Sequence, residues 1–408
     1  MEVIFGAEFM YANSRLSVRT TITFRPEVMQ TAAPPSPDLT TLPLAEYAPV
    51  SKLRLERTRV ERPRFAAIDF HTHLGRWLNP GGDWVESDLA GRRHDAWAVE
   101  VDDYLALCDR HAIRTSINLD GGWDAELEAN LDRLDRAHPG RFLTFCQLDW
   151  TRATTGDGFG DELAESLRRS AAAGARGLKV WKTLGLGFRD AAGRLLFPDD
   201  ERAAPVFAAA GELGLPVLIH TADPPAFFDP VDRHNERLEE LLAHPEWSFC
   251  GPEFPSHERL MESFEALVEA HPRTVFVGAH LAGNVEDLAW VGSLLERLPN
   301  LYVDISARVS DLGRQPRAAR RFVDRHRERI LFGSDLLPPT DAGLERIFRF
   351  LESDDEAYEY AGDEAPPPAG RWTISALGLS DESLRAIYAG NAQRVLGDGE
   401  RSSDGEQA

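Results

Sequence analysis

The sequence predicts a (β/α)8 TIM barrel, and two observations lead to this fold class. Eight short apolar segments of strand length recur along the chain, and stretches with the helical period of apolar residues separate them. Near-continuous apolar strands that alternate with helices indicate parallel strands buried on both faces, and eight such units close into a barrel. A doubly wound open α/β sheet is the alternative, but no glycine-rich phosphate turn follows the first apolar segment.

The predicted strands follow one another between residues 65 and 332, and most are rich in β-branched or aromatic side chains, which favour strands. In chain order they are Phe65–Phe70, Arg114–Leu119, Phe142–Leu148, Arg176–Trp181, Pro216–Ile219, Thr274–Gly278, Leu301–Ile305 and Ile330–Phe332. The clearest helical periods are those of Leu127, Leu131 and Leu134, of Leu163 and Leu167, of Leu260, Phe264, Leu267 and Val268, and of Leu384, Ile387 and Tyr388.

Both ends of the chain and one long loop lie outside this alternation. Residues 1–60 have no sustained period and include a proline-rich stretch, so we expect a partly disordered N-terminal arm. Residues 61–397 are expected to form the barrel, and residues 398–408 a disordered tail. The segment 223–255 follows the fifth strand and contains five aromatic side chains. Because loops after barrel strands border the active-site face, we expect this segment to be a lid, with a packed surface insertion as the alternative.

Composition limits the partners and the compartment. The 408 residues include 67 acidic and 45 basic side chains, which gives a formal charge of −22. This charge repels phosphate backbones and anionic lipid, so we expect a small-molecule substrate and neither nucleic acid nor a membrane as partner. The three cysteines form no disulfide framework, and no signal or spanning segment is evident, which favours the cytoplasm. The oligomeric state is left open, with a homodimer as the commonest arrangement.

The candidate chemistry lies at the ends of the predicted strands. The first strand ends in His71 and His73, which strand alternation places on one face, and imidazole is a standard ligand of divalent metals. Three more metal-ligand side chains follow apolar strands: His220 after the fifth, His280 after the sixth and Asp335 after the eighth. Because one rim of a barrel collects these strand ends, we interpret the five residues as a metal site rather than as separate structural side chains.

The order and strand placement of these residues resemble the amidohydrolase superfamily. Within it the chain is most similar to the amidohydrolase-related branch that includes the aminocarboxymuconate-semialdehyde decarboxylases. The similarity covers roughly Phe65 to Leu396 and is most evident in Ile68–Leu74, Gly177–Lys182, Pro216–Asp223, Phe276–Leu281 and Leu331–Asp335. The resemblance also implies a (β/α)8 barrel of the metal-dependent hydrolase type, in agreement with the strand count.

The resemblance implies roles for individual residues. It implies one divalent ion held by four side chains, which are His71, His73, His220 and Asp335. It implies His280 as the catalytic histidine, and Asp335 as a weak ligand that also accepts the proton of a metal-bound water. Zinc is the favoured ion, with manganese and iron as alternatives.

Three further side chains are candidate substrate contacts: Lys179, Arg308 and Trp77. Lys179 ends the fourth strand, where binuclear superfamily members carry a carbamylated lysine; His280 would then bind a second metal. We favour one ion, with Lys179 as a cation for a substrate carboxylate, although Lys182 competes for this role. Arg308 follows the seventh strand and suits bidentate capture of a carboxylate, with a rim salt bridge as the alternative. Trp77 would form part of the pocket wall.

These residues predict an enzyme. The main hypothesis is a metal-dependent hydrolase in which metal-activated water attacks the carbonyl carbon of a small amide, lactone or ester. The alternative is a non-oxidative carboxy-lyase, because that reaction also uses a bound divalent ion and an acid/base pair. The family resemblance favours the second reaction, whereas the superfamily at large favours the first. A catalytically inactive binding barrel is a third hypothesis, against which the intact ligand set argues.

Overall fold

The computed structural model describes residues 41–43, 46–47, 49–55, 57–74, 77–78, 84–85, 100–362 and 367–397. The chain divides into two units, Met1–Lys52 and Leu53–Ala408, and the second unit contains the elements given below. The predicted tail at 398–408 and most of the predicted arm at 1–60 lie outside the described residues.

The strands confirm the predicted fold class. Strands β2 and β3 pair as a small antiparallel hairpin, and the other eight strands form the barrel. The strands are β1 (Ala67–Thr72), β2 (Trp77–Leu78), β3 (Trp84–Val85), β4 (Ile113–Asn118), β5 (Phe142–Thr144), β6 (Leu178–Val180), β7 (Val217–Ile219), β8 (Phe276–Gly278), β9 (Leu301–Asp304) and β10 (Ile330–Leu331). Every predicted segment overlaps one barrel strand. The first strand begins and ends two residues later than predicted and therefore includes His71.

The barrel is closed by hydrogen bonds at two seams between its sheets. The ladders run in the order β1-β4-β5 and β10-β9-β8-β7-β6, and their strands are parallel. At the β5–β6 seam the Cys146 N–H donates to Gly177 O at 2.9 Å, and the Lys179 N–H donates to Cys146 O at 2.8 Å. At the β10–β1 seam the Phe70 N–H donates to Phe332 O at 2.9 Å. The open-sheet alternative is therefore excluded.

Helices follow the strands along the chain. They are α1 (Val101–Arg110), α2 (Asp124–Leu131), α3 (Phe159–Ala173), α4 (Thr183–Leu186), α5 (Ala204–Leu213), α6 (Leu238–Ala243), α7 (His257–Ala270), α8 (Ala279–Ala282), α9 (Leu288–Arg297), α10 (Val309–Leu312), α11 (Pro316–His326), α12 (Asp341–Glu352), α13 (Asp381–Arg385) and α14 (Asn391–Val395). Within the described part of the chain, none of the helices has the length and apolar character that a membrane crossing needs.

The strands divide their side chains between two cores, as alternation along a strand requires. One set fills the inside of the barrel, and it includes Phe70, Phe145, Leu218, Val277 and Leu331. The intervening set packs against the helices in a larger core. Burying one such side chain contributes about 1.5–3 kcal/mol, so the strand ends stand on a rigid, well-packed support.

We expect Gly177→Ala to lower the free energy of unfolding by about 2 kcal/mol, because it overpacks the inner core. A Cβ at position 177 would lie 2.4 Å from Cε2 of Phe145, whose side chain is fully buried. Urea denaturation measures the change. The control is Gly390→Ala, where the added Cβ would meet Arg385 O at 3.4 Å, an ordinary contact. An equal loss of stability in both variants would contradict this account of the core.

The segment 223–255 packs onto the barrel through its own apolar cluster and through a buried ion pair. Phe227 and Phe249 belong to a cluster that includes side chains of α7. Arg237 is buried, pairs with Asp311 beyond β9 and donates to Glu240 at 3.1 Å. These contacts anchor the segment beside the strand ends, and its role as a lid stays a prediction.

Candidate metal centre

Three of the predicted ligands meet at the carboxyl end of the barrel. Candidate ligand atoms of His71, His73 and Asp335 all lie within 4.8 Å of one another. The Nε2 atoms of His71 and His73 lie 3.8 and 3.4 Å from Oδ1 of Asp335. His71 lies in β1, His73 follows that strand directly, and the loop after β10 supplies the carboxylate, so the closed barrel brings together residues far apart in sequence.

Two buried aspartates orient these histidines. Nδ1 of His71 lies 2.8 Å from Oδ2 of Asp304, and Nδ1 of His73 lies 2.8 Å from Oδ1 of Asp120. Because a carboxylate oxygen accepts hydrogen bonds, each Nδ1 carries a proton, and each ring is left to bind a metal through Nε2. Metal-binding histidines typically have this carboxylate partner, so the donor set fits a divalent ion beside Asp335.

The charges of the site also suit a metal. Burial lowers the pKa of His71, which favours the neutral imidazole that a metal binds. Burial likewise opposes a charge on His73, but its two aspartate neighbours outweigh burial and raise its pKa to about 9. The pKa of Asp335 lies well below its usual range, because the neighbouring histidines outweigh the effect of burial. A divalent ion would therefore meet an ionised carboxylate and would replace the proton on His73.

The turn after β8 has an unusual backbone conformation that positions His280. His280, Leu281 and Ala282 have φ values of 56°, 57° and 58°, and Gly283 follows with 74°. The left-handed conformation is costly for residues other than glycine and persists where surrounding contacts hold it, often at functional sites. Here Oδ1 of Asp304 accepts the N–H of His280 at 2.8 Å. The same aspartate therefore orients a histidine of the metal group and holds this turn.

The His280 imidazole lies beside the metal group. Its Nδ1 is 3.0 Å from the carbonyl oxygen and 2.9 Å from Oγ of Ser306. Its Nε2 is 3.8 Å from Oδ2 of Asp335, and its ring centroid is 4.9 Å from that of His71. Burial holds the pKa of His280 well below its ordinary value, so the ring is neutral. A neutral imidazole at this place can accept or pass on a proton at Nε2.

His220 lies next to His280, with 4.5 Å between their ring centroids. Among the described residues it is not part of the group that His71, His73 and Asp335 form. Its Nε2 lies 3.3 Å from Oδ1 of Asp223, and burial lowers its pKa to about 4. The structure therefore places the predicted fourth ligand in the same cluster of imidazoles but outside the tightest set of ligand atoms.

The two competing lysines have different environments. Lys182 is committed to an ion pair with Asp223. Lys179 is 1% exposed, and within the described part of the chain its Nζ has no hydrogen-bond partner. This Nζ lies 4.6 Å from the ring centroid of Trp181, which stacks on His73 at 5.0 Å. Burial lowers the pKa of Lys179 to about 8.

The other two predicted substrate contacts are less well defined. Arg308 is buried beyond β9 and donates from Nη1 to the carbonyl oxygen of Ala307 at 3.0 Å. No carboxylate in the described ranges forms an ion pair with it, so the structure does not show the rim salt bridge that was the alternative. Trp77 lies in strand β2, and its side chain is outside the described part of the structure.

Sequence reasoning missed Asp304 and Ser306. Asp304 is the last residue of β9, a segment interpreted from the sequence as an apolar strand, and Ser306 lies two residues beyond it. A carboxylate inside an apolar strand segment is costly to bury unless it is paired, and this could have identified Asp304. Ser306 carries no such signal, because serine is common after strands.

A closed (β/α)8 barrel with imidazoles and carboxylates gathered at the carboxyl ends of its strands defines a metal-dependent enzyme of the amidohydrolase type. Residues 68–397 match the family model described as Amidohydrolase, and the chain belongs to this family. The protein is therefore an enzyme, either a hydrolase or a carboxy-lyase, of a metal-dependent family. None of the curated proteins matches the sequence.

Solved structures with the same fold cover most of the chain. A 2,6-dihydroxybenzoate decarboxylase from Rhizobium has a TM-score of 0.53 and 16% identity, over 82% of this chain and 99% of that one. A dihydroxybenzoic acid decarboxylase from Polaromonas sp. JS666, with bound manganese and 2-nitroresorcinol, has a TM-score of 0.53 and 16% identity, over 82% of this chain and 97% of that one. An uncharacterized TIM-barrel protein from Bordetella bronchiseptica has a TM-score of 0.51 and 15% identity, over 83% of this chain and 100% of that one. At these identities the likeness shows the fold alone.

Proposed function

We propose that the protein is a metal-dependent hydrolase that cleaves an amide, lactone or ester bond in a small organic substrate. The observation that carries this proposal is the placement of Asp335. Its Oδ1 lies 3.4 Å from Nε2 of His73, and its Oδ2 lies 3.8 Å from Nε2 of His280. One carboxylate therefore faces the metal-binding imidazoles with one oxygen and a second acid/base group with the other.

One divalent ion is proposed, with zinc favoured over manganese or iron because imidazole and carboxylate ligands suit it. His71, His73 and Asp335 would hold it, with His220 as the proposed fourth ligand. When bound, such an ion lowers the pKa of water and polarises a carbonyl oxygen of the substrate. Asp304 and Asp120 keep the first two imidazoles in the tautomer that such an ion requires.

Hydrolysis needs one proton removed from water and one delivered to the leaving group. Asp335 is ionised at neutral pH and is proposed to accept the proton as the water oxygen bonds to the carbonyl carbon. The carbon–nitrogen or carbon–oxygen bond then breaks, and the proton passes to the departing atom from Asp335 or through Nε2 of His280. The Asp335 carboxylate and the neighbouring His280 imidazole can together accept the proton of the water and deliver a proton to the leaving group.

The substrate contacts stay proposals. Lys179 is proposed to bind a substrate carboxylate, because its buried amine lies against Trp181 at the site without a fixed partner. Arg308 is proposed to bind a second acceptor at the rim, and Trp77 to wall the pocket. The segment 223–255, anchored by Arg237, is proposed to cover the opening as a lid.

A non-oxidative carboxy-lyase is the second candidate, and two observations favour it. Lys179 supplies a buried cation for a substrate that carries a carboxylate, and two solved structures with this fold are dihydroxybenzoate decarboxylases. In that reaction the carbon–carbon bond to the carboxylate breaks, carbon dioxide leaves, and His280 or Asp335 gives a proton to the carbon that remains. This reaction needs only one proton delivery, so it uses the two-sided placement of Asp335 less fully.

The two reactions differ in their products. The purified, metal-loaded enzyme is incubated with a panel of small lactones, esters and amides and, separately, with hydroxylated aromatic carboxylic acids. We expect turnover of members of the first panel, seen as one new carboxylic acid for each bond cleaved, with no release of carbon dioxide. Stoichiometric carbon dioxide from the second panel, with no turnover of the first, would contradict the hydrolase and establish the lyase.

A further inference from the structure

A buried lysine–aspartate pair lies behind His220. Lys182 follows β6 and Asp223 follows β7, and the two residues are 9% and 6% exposed to solvent. Nζ of Lys182 donates to Oδ2 of Asp223, and Oδ1 of Asp223 lies 3.3 Å from Nε2 of His220. The proposed proton transfer uses neither Lys182 nor Asp223, and a buried ion pair is costly unless its geometry serves a purpose.

We propose that Asp223, held by Lys182, is a positioning residue that presents Nδ1 of His220 to the metal. The inference rests on the proposed function, because it assumes that His220 is a metal ligand. In this proposal, Lys182 and Asp223 together determine which ring nitrogen of His220 binds the metal. Neither the sequence pattern nor the family match specifies that nitrogen.

The hydrogen bond to Asp223 determines which ring nitrogen of His220 can bind a metal. Because the Asp223 carboxylate only accepts hydrogen bonds, Nε2 of His220 has to carry the proton, and a neutral imidazole then keeps its lone pair on Nδ1. His71 and His73 show the opposite arrangement, since each places Nδ1 against a carboxylate and leaves Nε2 free. The site therefore uses carboxylates to present different nitrogens on different strands, which suits imidazoles that approach one ion from opposite sides of the barrel mouth.

Lys182 keeps Asp223 in this role. It engages Oδ2 of the carboxylate, so Oδ1 alone is left for His220. Nζ of Lys182 also lies over the ring of Phe249, from the segment 223–255, at 5.2 Å from the ring centroid. Without the lysine, the Asp223 carboxylate would be buried without a countercharge. Protonation of this carboxylate, or its movement toward the metal, would then lower the free energy. Either change would release His220 from its fixed orientation.

The first test measures metal affinity by titrating Co²⁺ against a competing chelator, together with the Co²⁺ absorption spectrum. We expect Asp223→Asn and Lys182→Met each to weaken binding by about 10–100-fold and to alter the spectrum. Lys182→Arg keeps the charge and is expected to stay near the wild type. The control is Asp199→Asn, which removes a carboxylate that pairs with Arg259 at 3.0 Å outside the site and should leave the affinity unchanged.

The second test reads the tautomer directly and needs no variant to bind metal. In metal-free protein labelled with ¹⁵N-histidine, the His220 signal should show a proton on Nε2, and Asp223→Asn should lose this preference. A proton on Nδ1 in the wild type, or equal Co²⁺ affinity in Asp223→Asn and the wild type, would overturn the inference. A wild type that binds Co²⁺ and hydrolyses its substrate would leave the proposed function standing in either case.

Discussion

Asp335→Asn is expected to lower kcat by about a thousandfold while the protein still folds and still binds one metal ion per chain. The amide keeps the shape of the carboxylate and one oxygen that can ligate, but it cannot accept a proton at neutral pH. The loss should fall on kcat rather than on KM, because the group acts on the reacting atoms and not on the bound substrate. Steady-state kinetics and elemental analysis of the same preparation measure both quantities.

Two further variants separate the roles in the site. His71→Ala removes a ligand whose ring is buried in the metal group, and it should lose both the metal and the activity. Asp149→Asn changes another aspartate shortly after a strand, which accepts from the Thr151 N–H and lies 3.9 Å from Arg152, and it should leave kcat unchanged. If Asp335→Asn kept kcat within about tenfold of the wild type, Asp335 would not be the general base and the proposed mechanism would be wrong.

The sequence predicted the parts of this site that follow from regular structure. Strand alternation placed His71 and His73 on the same side of the chain at the end of β1, and barrel closure brought Asp335 to them, because both depend only on period and strand order. The first strand runs to Thr72, which pairs with Asn118 of β4, so its end could not be set without its neighbour.

Contacts between strand ends could not be predicted in the same way. Leu281 and Ala282 adopt left-handed backbone conformations that their residue types disfavour, and the local sequence gives no sign of them. Asp304, at the end of the next strand, accepts the His280 N–H, and the carbonyl oxygen of Ser306, two residues further on, lies 3.0 Å from Nδ1 of His280, so contacts distant in sequence hold the turn. The pairing of each imidazole with a particular carboxylate likewise depends on side-chain orientation, which the spacing of residues along the chain does not encode.

Asp304→Ala is expected to lower the free energy of unfolding by about 3–5 kcal/mol, because it leaves several buried donors unpaired. Asp304 is fully buried and accepts from Nδ1 of His71, from the backbone N–H of His280, and from both the N–H and Oγ–H of Ser306. We also expect metal affinity to fall by about 10–100-fold, since His71 loses the partner that fixes its tautomer. Urea denaturation and Co²⁺ competition measure the two effects.

Asp304→Asn distinguishes a packing role from an orienting role. The amide retains the volume of the carboxylate and one acceptor oxygen, so most of the stability should return. Its NH₂ group cannot accept from Nδ1 of His71 while its oxygen serves the turn at His280, so metal affinity should stay reduced. Equal recovery of stability and metal affinity would show that Asp304 acts through packing alone. Recovery of stability without recovery of affinity would show that this single carboxylate couples the conformation of the β8 turn to the orientation of a metal ligand on β1.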